Sequence, residues 1–201
     1  MTHIACLDLE GVLVPEIWIG IAEHTGIAEL RLTTRDIPDY DVLMKQRLAL
    51  LAQHDLGIDS INKVIEAMQP LPGALEFLRW LRERYQLIIV SDTYYEFAAP
   101  LLRQLGWPTL FCNSLDIDTA GRIVNYHVRQ PDPKRQVVAA LHALKFRVIA
   151  AGDSYNDLGM LMEADVGILF RPPEAINAEY PQFPVASTYD GLRAAILQGS
   201  T

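Results

Sequence analysis

Four short apolar runs along the chain each stop at a polar residue or a sharp break. They are Ile4-Ala5-Cys6-Leu7 before Asp8, Leu87-Ile88-Ile89-Val90 before Ser91, Val148-Ile149-Ala150-Ala151 before Gly152-Asp153, and Val166-Gly167-Ile168-Leu169-Phe170 before Arg171 and two prolines. Uninterrupted apolar strands of this length suit a parallel sheet covered on both faces. Between them apolar residues recur at helical spacing: Leu75, Leu78 and Leu81 with Phe77; Leu101, Leu102 and Leu105 before Gly106; Val137, Val138, Leu141 and Leu144. Strand alternating with helix predicts a doubly wound α/β sheet. Such sheets bind ligands at the carboxyl ends of their strands. Asp8, Ser91 and Asp153 all fall at those ends, which predicts one shared site.

The stretch from Glu16 to Pro70 has a different pattern. It predicts helices over Ile17–Ala22, Val42–Leu51 and Ile61–Met68, broken at Pro38 and Gly57, and contains no buried-strand run. A helical block between the first strand and the next βα unit predicts a lid inserted over the sheet, with Pro70-Leu71-Pro72-Gly73 as the return linker. The chain then divides into a core of residues 1–15 and 71–201 and a small helical cap of residues 16–70. Gly121, between Ile117 and the alternating run Ile123–Val128, predicts a hairpin within Asp116–Val128.

Composition narrows the function. The 201 residues carry 25 acids against 17 bases, a formal net charge of −8, which disfavours nucleic acid and anionic membranes as partners. Any anion bound must meet a local concentration of positive charge. The two cysteines, Cys6 and Cys112, form no CxxC pair, and Cys6 lies in an apolar run as a small core residue of a reducing compartment. The start MTHIACLDLEG reaches acid too early for a signal peptide, and no apolar stretch approaches the roughly 20 residues of a membrane span. These features predict a cytoplasmic protein.

Candidate chemistry clusters at the strand ends. Asp8 and Glu10 stand two residues apart where the chain turns at Gly11. Carboxylates so close repel unless a cation or proton lies between them; the bland alternative is an Asp8 turn cap with a solvated Glu10. Gly152-Asp153-Ser154-Tyr155-Asn156-Asp157 supplies a second acidic cluster. Helix capping accounts for Asp153 but not for Asp157 as well. Asp8 and Asp153 together offer hard oxygen ligands that suit Mg²⁺. In Asp132-Pro133-Lys134-Arg135, Asp132 reads as an N-cap and Pro133 as the first helical residue. Lys134 then sits at the positive end of a helix dipole, an unfavourable place unless it faces a bound anion. Ser91-Asp92-Thr93 is read as preceding a helix, its hydroxyl and free backbone N–H groups aimed at phosphate.

The order of these elements resembles the haloacid dehalogenase-like (HAD) phosphatase superfamily over nearly the whole chain. The resemblance implies that Asp8 is the nucleophile, forming an aspartyl-phosphate, and that Glu10 is the acid/base. It places Ser91 and Lys134 on the phosphoryl oxygens, with Asp92 and Asn156 beside the substrate. Mg²⁺ would be held by Asp8, the main-chain carbonyl of Glu10 and Asp153, with Asp157 behind them. Within the superfamily the chain is similar to the phosphoserine phosphatase group: the run Leu43–Leu51 puts Arg47 at the cap arginine that holds the substrate carboxylate, and Glu16 faces the ammonium. Read alone, both would be exposed helix charges. The chain departs from the group's pattern in having Glu10 where Asp is usual and Ser91-Asp92-Thr93 where Ser-Gly-Gly is usual. With Glu16 and Tyr94, these departures are similar to a bifunctional subgroup that also transfers the phosphoryl group from phosphoserine to homoserine. A homodimer is compatible with that kinship. The competing readings are a phosphatase of another small phosphomonoester without transfer, a receiver-like phospho-acceptor module, and a pseudo-enzyme with a misplaced acid/base. Receivers are shorter, have no helical insert and carry their acceptor after a middle strand.

Overall fold

The computed structural model describes residues 3–33, 36–37 and 39–200; Pro38, read as a helix break, lies outside them. The apolar runs are strands. β1 (His3–Leu7), β2 (Gln86–Tyr94), β3 (Thr109–Ile117), β4 (Ile123–His127), β5 (Arg147–Gly152), β6 (Val166–Phe170) and β7 (Val185–Ala186) form one sheet in the order β4-β3-β2-β1-β5-β6-β7. Every pairing is parallel except the β3–β4 hairpin.

The period of two along each strand divides the core. Ala5 and Leu7 of β1 face one apolar cluster, shared with α4 (Ala74–Arg82), α5 (Tyr95–Gln104) and α9 (Tyr189–Gly199), while Ile4 and Cys6 face the other. That second cluster is covered by α6 (Pro133–Ala143), α7 (Leu158–Glu163) and α8 (Glu174–Glu179). Each fully buried Leu, Ile or Phe on these faces contributes about 1.5–3 kcal/mol of transfer free energy. Helices on both sides make this a doubly wound α/β fold, as the sequence pattern predicts. Among the described residues no helix is long and apolar enough to cross a membrane.

Between β1 and α4 lie α1 (Ile17–Thr25), a 3₁₀ turn at Ala28–Arg31, α2 (Tyr40–Gln53) and α3 (Ile58–Ala67), and no described residue of this stretch joins the sheet. Asp39 caps α2, its carboxylate accepting from the N–H groups of Asp41 and Val42 at 2.9 and 3.1 Å. Gly26 ends α1 in the left-handed region at φ 73°. Ile17, Ile21, Leu51, Ile61 and Ile65 share one apolar cluster with Phe97 and Leu101 of α5, so the helical stretch rests on the sheet's helices. Its two connections run side by side: the Leu71 N–H donates to the Leu13 carbonyl at 2.9 Å. The β3–β4 turn also reaches it, the Gly121 carbonyl accepting from the Ile58 N–H at 2.8 Å.

Three local expectations change. β2 does not end at Val90; it continues with a register irregularity to Tyr94, and α5 starts only at Tyr95. Ser91-Asp92-Thr93 is therefore strand, not the free N–H groups of a helix start. Asp132 occupies the N-cap position but at φ 48°, and its carboxylate pairs with Arg135 rather than capping the helix. Leu75 and Leu144, read as parts of apolar helix faces, are exposed.

Candidate active site

β1 lies between β2 and β5, so the ends of three adjacent strands deliver Asp8, Ser91 and Asp153 to one place. This is where strand order reverses, the switch point of an open α/β sheet. A cavity of about 720 Å³ opens there. Its walls include Asp8, Glu10, Ser91, Asp92, Lys134, Asp153 and Asn156 from around the sheet, and Glu16 and Arg47 from the helical stretch. Of the ten candidate site residues, Asp157 alone is not in this wall; it is fully buried.

Asp8 follows β1 directly, its N–H bonded to the Ala151 carbonyl at 3.0 Å. Its Oδ1 accepts from the Leu9 N–H at 2.7 Å and lies 3.0 Å from Lys134 Nζ. Lys134, projecting from the first turn of α6, is buried; its Nζ donates to Asp157 Oδ1 at 2.7 Å and lies 3.5 Å from Asp92 Oδ2. Asp157 turns its other oxygen to the N–H groups of Asp153 and Ser154, at 3.0 and 3.1 Å. One carboxylate thus fixes both the ammonium and the loop after β5.

The charges do not balance. Burial alone would favour neutral Lys134, but Asp157, Asp8 and Asp92 outweigh it and hold its pKa well above the usual value. Asp8 is pushed up by burial and by Asp157, with Lys134 opposing. Asp153 is raised to about 7 by burial, Asp157 and Glu16. Ligand oxygens of Asp8, Asp153 and Asp157 lie within 4.8 Å of one another. Hard oxygens crowded around too little positive charge fit a divalent cation, which would return Asp8 and Asp153 to their ionised form.

Glu10 accepts from the Ile17 N–H, the first of α1, through Oε2 at 2.8 Å. Burial and the nearby Glu16 raise its pKa to about 8, against the pull of that hydrogen bond. A carboxyl in this range holds a proton near neutrality and can also release it, as an acid/base must. Ser91 is buried, its Oγ accepting from the Thr93 N–H at 3.3 Å. Asp92 Oδ2 accepts from Asn156 Nδ2 at 2.7 Å, joining the end of β2 to the segment after β5.

Arg47 is buried against the cavity, not solvated as a helix charge would be. Glu16, by contrast, is an exposed residue at the cavity wall. Asn113 and Tyr40 escaped the sequence reading. Asn113, buried midway along β3, donates to the Asp92 carbonyl at 3.0 Å and accepts from the Arg129 N–H at 3.1 Å, fixing the Ser91–Thr93 segment. A polar residue directly after the apolar run Leu110–Cys112 was its available signal. Tyr40 of α2 and Tyr94 of β2 share a hydrogen bond of 2.7 Å between their hydroxyls.

Gly11 makes the first loop possible. Its φ is +75°, and a Cβ there would lie 2.4 Å from Asp153 Oδ2. Gly11→Ala should cost about 1–3 kcal/mol of backbone strain. It should also lower turnover roughly a hundredfold by displacing the Asp153 carboxylate. A thermal midpoint and a rate both unchanged from wild type would contradict this.

The haloacid dehalogenase-like hydrolase family profile matches residues 4–165, and the chain belongs to this family. Phosphoserine phosphatase ThrH of Pseudomonas aeruginosa is 61% identical over 199 residues, 99% of this chain and 97% of that protein. A phosphoserine phosphatase of Pseudomonas syringae pv. tomato is 60% identical, covering 98% of this chain and 84% of that one. Among solved structures, a substrate-bound phosphoserine phosphatase complex superimposes with a TM-score of 0.77 at 19% identity, covering 98% of each chain, a likeness of fold.

Proposed function

We propose that the chain is a Mg²⁺-dependent phosphoserine phosphatase that also passes the phosphoryl group to homoserine. Residues 16–70 act as a cap over a core of residues 1–15 and 71–201. The observation that carries this reading is the arrangement of the cavity: Asp8 and Lys134 sit at the sheet end, and Arg47 and Glu16 stand on the helical stretch. A phosphate placed on Lys134 leaves the amino-acid end of phosphoserine for Arg47, on its carboxylate, and Glu16, on its ammonium.

Asp8, the Glu10 carbonyl and Asp153 would hold Mg²⁺, whose charge offsets that of the phosphoryl oxygens. Lys134 and the Ser91 hydroxyl hold those oxygens from the protein side. In the first half-reaction a carboxylate oxygen of Asp8 bonds to phosphorus as the bond from phosphorus to the serine oxygen breaks. Glu10 gives its proton to that oxygen and serine leaves. In the second, an incoming hydroxyl bonds to phosphorus, Glu10 takes back a proton, and the bond between phosphorus and Asp8 breaks.

The second half-reaction accepts whichever hydroxyl is best placed. Homoserine is serine with one added methylene, so it presents the same charged groups to Glu16 and Arg47. Glu10 is longer than the Asp usual at this position by one C–C bond, about 1.5 Å, which suits a base reaching a longer acceptor. Water at ~55 M competes, but good positioning reaches effective molarities far above that.

Incubation with phosphoserine and Mg²⁺ should release inorganic phosphate. Added homoserine should divert part of it into O-phosphohomoserine, seen by mass spectrometry, and Glu10→Asp should lower the ratio of transfer to hydrolysis. Phosphate and serine as sole products at saturating homoserine would leave a hydrolase without transfer. No release from phosphoserine would refute the substrate assignment.

A further inference from the structure

We infer that Trp18 is a positioning residue that orients Arg47 and so sets the preference for a leaving group that carries a carboxylate; the inference rests on the phosphoserine reading. Arg47 is 6% exposed, and its guanidinium is held from three sides. Nη2 donates to the Leu32 carbonyl at 2.8 Å, and Nη1 lies 3.6 Å from the Met44 sulfur. Its Cζ lies over the Trp18 ring, 4.4 Å from the centroid. The carbonyl fixes the guanidinium edge-on and the indole covers its face. Among the described residues Nε has no hydrogen-bond partner although it is buried.

An unpartnered donor of a buried charged group is expensive to maintain unless a ligand satisfies it. Arg47 lines the cavity, so a carboxylate entering there meets a guanidinium whose hydrogen-bonding capacity the fold leaves partly unused. The Leu32 carbonyl alone leaves the guanidinium free to rotate about the line between donor and acceptor. The ring removes that freedom. Trp18 itself is anchored: it meets Phe97, fully buried on α5, in an edge-to-face contact with centroids 5.5 Å apart and planes at 70°. A column of Phe97, Trp18 and Arg47 thus runs from the core to the cavity wall and presents the arginine already oriented. Cation–π contacts of this kind fit Arg and an aromatic face, and an aliphatic side chain cannot replace them.

The test compares kcat/KM for phosphoserine with kcat/KM for phosphoethanolamine, which keeps the phosphate and ammonium but has no carboxylate. Both substrates are assayed on one preparation, so any inactive fraction cancels from the ratio. Trp18→Leu should reduce the preference for phosphoserine roughly two- to thirtyfold, mainly through KM, the range expected of a cation–π contact between exposed and desolvated limits. Trp18→Phe, which keeps an aromatic face, should retain most of it. In an Arg47→Ala background Trp18→Leu should change the preference no further, because there is no guanidinium left to orient. Equal losses on both substrates would give Trp18 a purely structural role and overturn the inference. So would an unchanged preference in Trp18→Leu, or a further change in the Arg47→Ala background. A wild-type enzyme that does not favour phosphoserine over phosphoethanolamine would refute the substrate reading, and this inference with it.

Discussion

Asp8→Asn should lose phosphoserine turnover by on the order of 10⁴-fold or more, the scale seen when a covalent nucleophile is removed. The amide cannot bond to phosphorus and is a poorer ligand for a hard cation. The fold should survive. Asp8 is buried, and its carboxyl is held above the ordinary carboxylate range. A raised pKa in an acid means that the folded state resists its ionisation, so the ionised form costs stability once pH exceeds the unfolded value. Neutral Asn removes that cost and still accepts the Leu9 N–H. The thermal midpoint of the metal-free protein should therefore be equal to or above that of wild type. Near-normal phosphate release by a preparation free of deamidation would sink the nucleophile assignment.

Lys134→Met is expected to damage both activity and stability. Lys134 is 2% exposed and is the ammonium shared by Asp8, Asp92 and Asp157. Removing it leaves buried carboxylates uncompensated, which costs about 3–5 kcal/mol where one partner of a buried ion pair is deleted. It also removes the main positive charge that the chain itself offers a phosphate, so turnover should fall at least about a hundredfold. Adding Asp157→Asn should recover part of the stability and none of the activity, because it removes one of the stranded charges and restores no grip on phosphate. A Lys134→Met protein as stable as wild type by chemical denaturation would mean that the cluster is already neutral in the fold.

Much of this was legible because buried parallel strands leave little choice of residue. β1, β2, β5 and β6 appear as apolar runs, and the polar residues that end them become the site because a parallel sheet brings those ends together. β3 was harder. Only its hairpin half was read, since Thr109–Cys112 mixes exposed and buried positions along the strand. β7 has two residues and no pattern to find. The lysine was legible from its unfavourable place on a helix dipole. The links that hold the site were not: Asn156 with Asp92, Tyr40 with Tyr94 and Asn113 with the Asp92 carbonyl join residues far apart in sequence, and nothing local pairs one partner with the other. Arg47 shows how burial decides between two readings. On its helix it is a charge like any other, and the aromatic face under it comes from a different helix.

The hydrogen bond between Leu71 and Leu13 has a consequence for how the chain is partitioned. The way out to the helices and the way back are clamped together at one point, so to the sheet the whole excursion from α1 to α3 is a single closed loop. Closing a longer loop costs only about 0.6 kcal/mol for each doubling of its length. The sheet therefore bears little thermodynamic load from the size of what it carries. Under the proposed mechanism phosphoryl chemistry stays with Asp8, Lys134 and Asp153 on one side of the clamp, while Arg47 and Trp18 ride on the other. On that reading, helices of another length or lining that keep the same clamp and the same seat on α5 would change what is recognised while leaving the transfer itself untouched.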